Sequence, residues 1–323
     1  MTARPRAVFL GTGAFAVPIL DALVAAPDVV VVAVVTAPPR PAGRGQALRG
    51  SPVAARAADL SLPVLTPTRL RAPDAIAAGQ ALAPDLLVLA DYGQIVPAEL
   101  LALPAHGALN LHPSLLPRHR GATPIPAAIL AGDAETGVTL MRMDAGLDSG
   151  PIVAQQRLAL DGTETAPELE RRLAALAADL LRRSLTDWLA GRLAETPQKV
   201  AEATMTRPLR RQDGRLDATQ PAVELARRVR AYQSWPGAYV DTVSGRLLIW
   251  RAEAVAGDGG ARDVSADAGS IVADGEGLAI ATADGRLRLV DVQPAGKRRM
   301  AGAALRRGRP GLVGSRIEAP TLR

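Results

Sequence analysis

The stretch AVFLGTGAFAVPILDALVAAPDVVVVAVV (residues 7–35) decides the fold. It opens on an apolar run, AVFLG (7–11), and closes on another, VVVVAVV (29–35). Neither run alternates polar and apolar residues, so both faces of each are buried, as in parallel strands covered by helices. Between them, Phe15–Ala25 has the composition of a helix. The same rhythm continues outward. DLLVLA (85–90) and GALNL (107–111) read as further buried strands. Pro52–Asp59, behind a Ser51 cap, and Asp74–Leu82 read as helices. The pattern predicts an open α/β sheet with ligands bound beyond the carboxyl ends of its strands.

After Gly150 the chain runs extended through PIVAQQRLAL (151–160) and then shows a long helical pattern, Thr165–Leu189, closed by Gly191. ETPQ (195–198) belongs to a linker. From about residue 207 short apolar runs are separated by Ser-Gly, Asp-Gly and Glu-Gly turns, with a helix near Pro221–Tyr232 before them. This second region reads as a small β domain of barrel type. The expected division is a first domain over 1–190, a linker over 191–206 and a second domain over 207–323.

Composition limits the function. Hydrophobic residues make up 48% of 323 and aromatic residues 2%, so the core is built from Ala, Val, Leu and Ile. With no cysteine, disulfides, thiolate nucleophiles and Cys-bound zinc are excluded. Arg4 and Arg6 ahead of an apolar stretch imitate a signal peptide, but Gly11, Thr12, Gly13 and Pro18 interrupt it and no clear cleavage site follows. The apolar run at 29–35 is too short to span a bilayer, so no membrane association and a cytoplasmic location are expected. Residues 1–206 carry 18 basic and 19 acidic groups, whereas 207–323 carry 20 and 13. A net +7 on the second region suits a polyanionic partner or a solvated basic surface.

GTGAFA (11–16) fits the loose dinucleotide pattern, but the second strand ends Val35-Thr36-Ala37 without the acid that would hold a ribose. The Pro/Gly-rich segment 36–52 bears Arg40, Arg44 and Arg49 and no acid, which suits phosphate contact or a solvated loop. All three histidines fall between residues 106 and 119. Their spacings, His106-x5-His112 and His112-x6-His119, match no helical ligand pair, and no metal is expected. His106 sits at a turn and His119 lies between two arginines. His112 stands apart. It follows the strand end LNL, and Asn110, two residues earlier, projects to the same side in extended backbone. Asp148, in MDAGLDSG (143–150) after the strand GVTLMRM, emerges at a sheet edge. Asn, His and Asp together suit acyl transfer without an enzyme nucleophile. A turn amide and a Gly-flanked turn acid are the alternatives for Asn110 and Asp148.

The segment NLHPSLLPRHRGATPIPAAILAGDAETGVTLMRMDAGLDSG resembles the folate-dependent formyltransferase superfamily, with an Asp 36 residues beyond the His of Asn-x-His-x-Ser-Leu-Leu-Pro. GTGAFA, RPAGRGQALRGSPV, YGQIVP, WPGAY (235–239) and QPAGKRRM (293–300) are similar to the branch that formylates methionyl-tRNA. His119, Gly13 and Asp91 depart from that pattern, where Trp, Pro and a small residue are frequent. The resemblance implies a doubly wound catalytic domain followed by a barrel of the OB kind that binds tRNA. It implies transfer of the formyl group of 10-formyltetrahydrofolate to the amino group of initiator methionyl-tRNA by a monomer. By position, Asn110, His112 and Asp148 match the catalytic trio. Ser114, Leu115, Leu116 and Pro117 match the folate-contacting segment, and the loop with Arg40, Arg44 and Arg49 matches the insertion that reads the acceptor stem.

The scheme expected from these residues starts with a neutral substrate amine. Asn110 and a protonated His112 stabilise the oxyanion, and Asp148 holds the imidazole and favours its cation. Rival readings are a formyltransferase for a small amine, a non-catalytic RNA-binding protein and an NAD-dependent dehydrogenase. The basic second domain, the Asn-His-Asp set and the missing ribose acid argue against them in that order.

Overall fold

The computed structural model describes residues 3–42, 47–256 and 268–318. Two compact units form, one from Met1–Pro124, Glu135–Ala159 and Glu170–Arg207, the other from Ile125–Ala134, Leu160–Leu169 and Pro208–Arg323.

The first unit is an α/β domain. In chain order its elements are β1 (Arg6–Gly11), α1 (Val17–Ala25), β2 (Val30–Val35), β3 (Arg40–Ala42), β4 (Ala47–Arg49), α2 (Pro52–Asp59), β5 (Val64–Leu65) and α3 (Pro73–Ala81). There follow β6 (Leu86–Ala90), α4 (Ala98–Leu101), β7 (Ala108–His112) and β8 (Arg120–Gly121). After α5 (Pro124–Ala131), most of which groups with the second unit, come β9 (Glu135–Arg142), β10 (Ile152–Ala159), the long α6 (Ala166–Leu189) and β11 (Met205–Thr206).

Seven strands make one sheet in the order β10-β9-β7-β6-β1-β2-β5. The run from β7 to β5 is parallel, while β9 and β10 join antiparallel. The mostly parallel sheet expected from the apolar runs is present. Its strands are buried on both faces: Ala7 through Leu10 and Leu86 through Ala90 are all buried. Val8, Leu10, Leu87 and Leu89 share one face with Tyr92 and Leu100, as the two-residue period of a strand requires. The chain builds outward from β1 to β5, then returns to place β6 and β7 on the other side. That reversal opens a crevice between the carboxyl ends of β1 and β6, where α/β sheets hold ligands. The Thr12 N–H donates to the Asp91 carbonyl across it at 3.0 Å.

Two local expectations change. The first helix begins as a 3-10 turn over Ala14–Ala16, and the α-helix starts at Val17. Pro18, lacking an N–H, fits only the first helical turn and fixes that start. The segment read as a loop contains the antiparallel hairpin β3–β4, with Arg40 opposite Arg49. Arg44 lies outside the described residues. Ser51 caps α2 as expected, its hydroxyl accepting the Ala54 N–H at 2.9 Å.

In the second unit, α7 (Ala222–Ala231) precedes β12 (Ala238–Thr242), β13 (Gly245–Ala256), β14 (Ile271–Asp274), β15 (Gly277–Ala281), β16 (Gly285–Pro294), β17 (Met300–Ala301) and α8 (Gly302–Gly308). The antiparallel sheet runs β12-β13-β16-β15-β14, with β17 on β16. Leu225 and Val229 of α7, Ile249, Leu278, Leu287, Leu289 and Val292 form its core. The path of paired strands is open. One short segment bonds to both outer strands: Ile317 N–H donates to the Gly269 carbonyl and Ile271 N–H to the Ser315 carbonyl, while Glu318 N–H donates to the Asp241 carbonyl, each at 2.8 Å. No described helix is long and apolar enough to cross a membrane.

Candidate functional site

The site grows from the end of β7. Asn110 and His112 alternate with the buried Leu109 and Leu111, so both turn to one side of the strand. Asp148, on the loop after β9, stands in the left-handed region at φ 49°. One carboxylate meets both partners. Asn110 Nδ2 donates to Asp148 Oδ1 at 3.4 Å, and His112 Nδ1 lies 3.6 Å from Asp148 Oδ2. The three residues singled out from the sequence come together.

A fourth group completes the carboxylate. The Gly121 N–H donates to Asp148 Oδ2 at 2.8 Å. Gly121 has φ 101°, and a Cβ there would lie 2.4 Å from the Thr206 carbonyl oxygen. Both the backbone angle and the short pairing of β8 with β11 therefore require glycine. Nothing in the spacing marked this residue, because the bond spans 27 positions.

His112 is 4% exposed. Its Nε2 is 2.9 Å from the His119 carbonyl, which only accepts, so Nε2 carries a proton and donates. In the neutral ring Nδ1 is then the basic nitrogen, turned toward Asp148. Burial is the largest influence on this imidazole and lowers its pKa from the ordinary value. The Asp148 charge and the His119 carbonyl oppose that shift without cancelling it. Burial therefore works against the imidazolium from which the expected scheme starts, while Asp148 and the His119 carbonyl work for it. The strand pattern points to the acid but not to the depth of burial.

The loop holding Asp148 is braced from a distance. Gln198 Nε2 donates to the carbonyls of Asp148 at 2.9 Å and Gly150 at 2.7 Å. Its Oε1 accepts from Arg120 Nε at 3.1 Å and Nη2 at 2.7 Å. Arg120 is thereby buried, with its donors directed at an amide. His119 contributes its carbonyl and, through its N–H, a 2.8 Å bond to Thr204 Oγ1. His106 lies in the turn before β7, where its carbonyl accepts from the Trp188 indole at 2.9 Å.

Ser114 is fully buried, and its hydroxyl donates to the Arg118 carbonyl at 2.7 Å. Thr139 Oγ1 donates to the Ser114 carbonyl at 2.7 Å and accepts from Leu116 N–H at 3.0 Å and Gln155 Nε2 at 2.8 Å. This network shapes residues 114–117 and leaves Leu115 and Pro117 half-exposed. Arg40 and Arg49 are both exposed on the hairpin. Among the described residues, no three of His, Cys, Asp and Glu are grouped to hold a metal ion.

Asp91, at the end of β6, is another acid of this edge. The Gly13 N–H donates to its carboxylate, desolvation by the surrounding protein and then the nearby Glu170 charge raise its pKa to about 6, and its φ is 47°. A Cβ on Gly13 would fall 1.8 Å from Asp91 Oδ2. Two of the three departures from the family pattern, Gly13 and Asp91, fit each other. A separate apolar cavity of about 200 Å³ lies between α3 and the sheet, lined by Val8, Leu10, Ala78 and Leu100 among others. It has none of the trio's chemistry.

Comparison with known proteins shows the family. Residues 5–185 match the family model for formyl transferase, and residues 208–310 match formyl transferase, C-terminal domain. The chain is 46% identical over 307 residues to a methionyl-tRNA formyltransferase of Myxococcus xanthus, covering 94% of this chain and 95% of that one. Among solved structures, an N-formyltransferase from Helicobacter canadensis, in complex with folinic acid and dTDP-3-aminofucose, aligns with a TM-score of 0.63 at 16% identity, covering 89% of this chain and 99% of that chain. HypX from Aquifex aeolicus, in complex with tetrahydrofolic acid, aligns with a TM-score of 0.59 at 18% identity, covering 94% and 47%.

Proposed function

Since the chain belongs to the formyl transferase family and is a formyl-transferring enzyme, we propose that it formylates the amino group of initiator methionyl-tRNA, with 10-formyltetrahydrofolate as donor. The observation that carries the chemistry is the single Asp148 carboxylate shared by Asn110, His112 and the Gly121 N–H.

The neutral amine attacks the formyl carbon and a C–N bond forms. The carbonyl oxygen gains negative charge, and the second N–H of the Asn110 amide is free to meet it. Neutral His112 takes the amine proton at Nδ1. The resulting imidazolium is held between Asp148 and the His119 carbonyl, the two groups that favour its charge. It then returns the proton to N10 as the formyl C–N10 bond breaks, leaving formyl-methionyl-tRNA and tetrahydrofolate. His112 therefore acts first as a base, and its cation exists only once attack has begun.

Ser114–Pro117 contribute to the folate side through backbone groups and the half-exposed Leu115 and Pro117, since the Ser114 hydroxyl is already bonded. Arg40 and Arg49 face each other across the hairpin, and like charges directly opposite are unfavourable without an anion. That pairing supports contact with a phosphate of the acceptor stem, with Arg44 on the same loop. In the second region, the segment bonded to both outer strands supports an OB-like barrel, and the +7 charge supports tRNA binding. The functional division is a catalytic domain over 1–190, a linker over 191–206 and a tRNA-binding domain over 207–323.

Purified protein supplied with 10-formyltetrahydrofolate, and with methionyl-tRNA against a panel of small amines, tests the reading. Formylation of methionyl-tRNA is expected. A preference for an amino sugar or another small amine would overturn it.

A further inference from the structure

Within the second unit a cavity of about 310 Å³ opens between the turn ahead of α6 and the sheet. Arg230, Gln233, Trp250, Arg251 and Arg299 line one side, and Thr163, Thr165 and Glu168 the other. Its volume lies at the lower end of small-ligand pockets.

Its polar groups are unevenly satisfied. Glu168 is engaged by Thr165, whose N–H and hydroxyl donate to it at 3.0 and 2.7 Å. Asp291 accepts from Arg299 at 2.9 Å and lies 3.3 Å from Arg251, so two guanidinium groups share one carboxylate. Arg230 differs. It is half-buried, its Nε is buried without a hydrogen-bond partner, and Asp161 and Glu164 act on it only through space. Trp250 is fixed at its edge by a 2.9 Å bond from the indole N–H to Gln293, and the Arg299 guanidinium stands 5.5 Å from its ring centre. The cavity thus offers a fixed aromatic ring with a cation over it, an unpartnered Arg230 Nε in the wall and a cation at the rim, where Arg251 is 63% exposed.

We propose that this cavity seats one unstacked nucleotide of a single-stranded RNA segment. The base stacks on Trp250 and presents an acceptor edge to Arg230, and the phosphate meets Arg251. Flat heteroaromatic rings stack on aromatic and guanidinium planes, and single-stranded bases expose the edges that a duplex hides. The inference rests on the reading of tRNA as substrate and adds a contact to that substrate beyond the reacting amine.

The test measures binding of a single-stranded RNA pentamer, the same sequence as a duplex, a ribonucleoside monophosphate and deacylated tRNA. The proteins are the full-length wild type and the variants Trp250→Ala, Trp250→Phe, Arg230→Gln and Arg251→Ala. Trp250→Ala should weaken the pentamer about tenfold or more, while Trp250→Phe, which keeps a ring, should stay within about threefold. Arg230→Gln should weaken the pentamer without changing the salt dependence, and Arg251→Ala should lower its salt slope by about one. If Trp250→Ala does not fold, Trp250→Phe and Arg230→Gln still decide.

Equal pentamer affinity in wild type, Trp250→Ala and Arg230→Gln would overturn the proposal, as would a mononucleotide binding as tightly as the strand, or duplex and single strand weakened alike. If wild type formylates methionyl-tRNA while these variants bind as it does, the seat is wrong and the tRNA reading stands. If wild type formylates no tRNA yet the pentamer binds through Trp250, the tRNA reading fails and the seat stands.

Discussion

Replacing Asp148 by Asn tests the proton step directly. The amide keeps the size of the carboxylate and its oxygen can still accept the Gly121 N–H, while its NH2 replaces the oxygen that accepts from Asn110, so stability should change by about 1 kcal/mol. What is lost is the charge 3.6 Å from His112 Nδ1. At an effective dielectric constant of about 20, a unit pair at that distance interacts by roughly 4–5 kcal/mol. The Asp148 side chain is only 14% exposed, so solvent screening removes little of this. The neutral ring gains almost nothing from the charge, so most of the loss falls on the imidazolium formed during attack. Turnover should drop about 10³-fold, since each 1.36 kcal/mol is a factor of ten. The assay is single-turnover formylation of methionyl-tRNA at saturating donor, from pH 6 to 9, with thermal melting of the same samples. A loss below about tenfold with melting unchanged would remove the imidazolium from the mechanism.

Four other outcomes follow from the same contacts. Burial lowers the pKa of His112, so its contribution to stability is intact above the unfolded value of roughly 6.5 and is lost as pH falls below it; His112→Gln should flatten the fall in melting temperature between pH 7.5 and 5.5. Asp91 has the opposite sign. Its carboxyl is raised to about 6, so stability falls as pH rises from about 4 toward 6; Asp91→Asn should stabilise at pH 7.5 by about 1 kcal/mol at most, because this side chain is partly solvated, and melting at two pH values checks it. Gly121→Ala should cost more than about 2 kcal/mol in denaturant titration, from the positive φ and the Thr206 carbonyl together, and should lower turnover. Ala78→Leu should fill the apolar cavity beneath α3 and raise stability by about 0.5–1.5 kcal/mol in the same titration.

The sheet was legible because β1, β2, β6 and β7 are apolar on both faces, a pattern few other structures tolerate. Asn110 and His112 were legible because a strand fixes the direction of alternate side chains, and Asp148 because it follows another strand of the same sheet. The hairpin β3–β4 was not: its strands are three residues long, contain a proline and carry no period. Nor was α5, which is short and begins with two prolines, Pro124 and Pro126, both in its first turn. Gly121 and Gln198 reach Asp148 across 27 and 50 positions, and only the folded chain brings such distances to bonding range. The depth at which His112 is buried is likewise something no spacing reports.

The short segment that bonds to Gly269, Ile271 and Asp241 also sets a schedule. Neither outer strand of the second unit has its full complement of hydrogen bonds until residues 314–318 have been synthesised. A ribosome adding about 5–20 residues per second finishes the first unit's sheet more than a hundred residues earlier. The nascent chain therefore carries a completed α/β sheet beside a β unit with two bare edges, and bare edges recruit other strands. A stall or a premature stop shortly before residue 314 would leave the molecule most prone to aggregate, although every residue of the reaction centre is already in place.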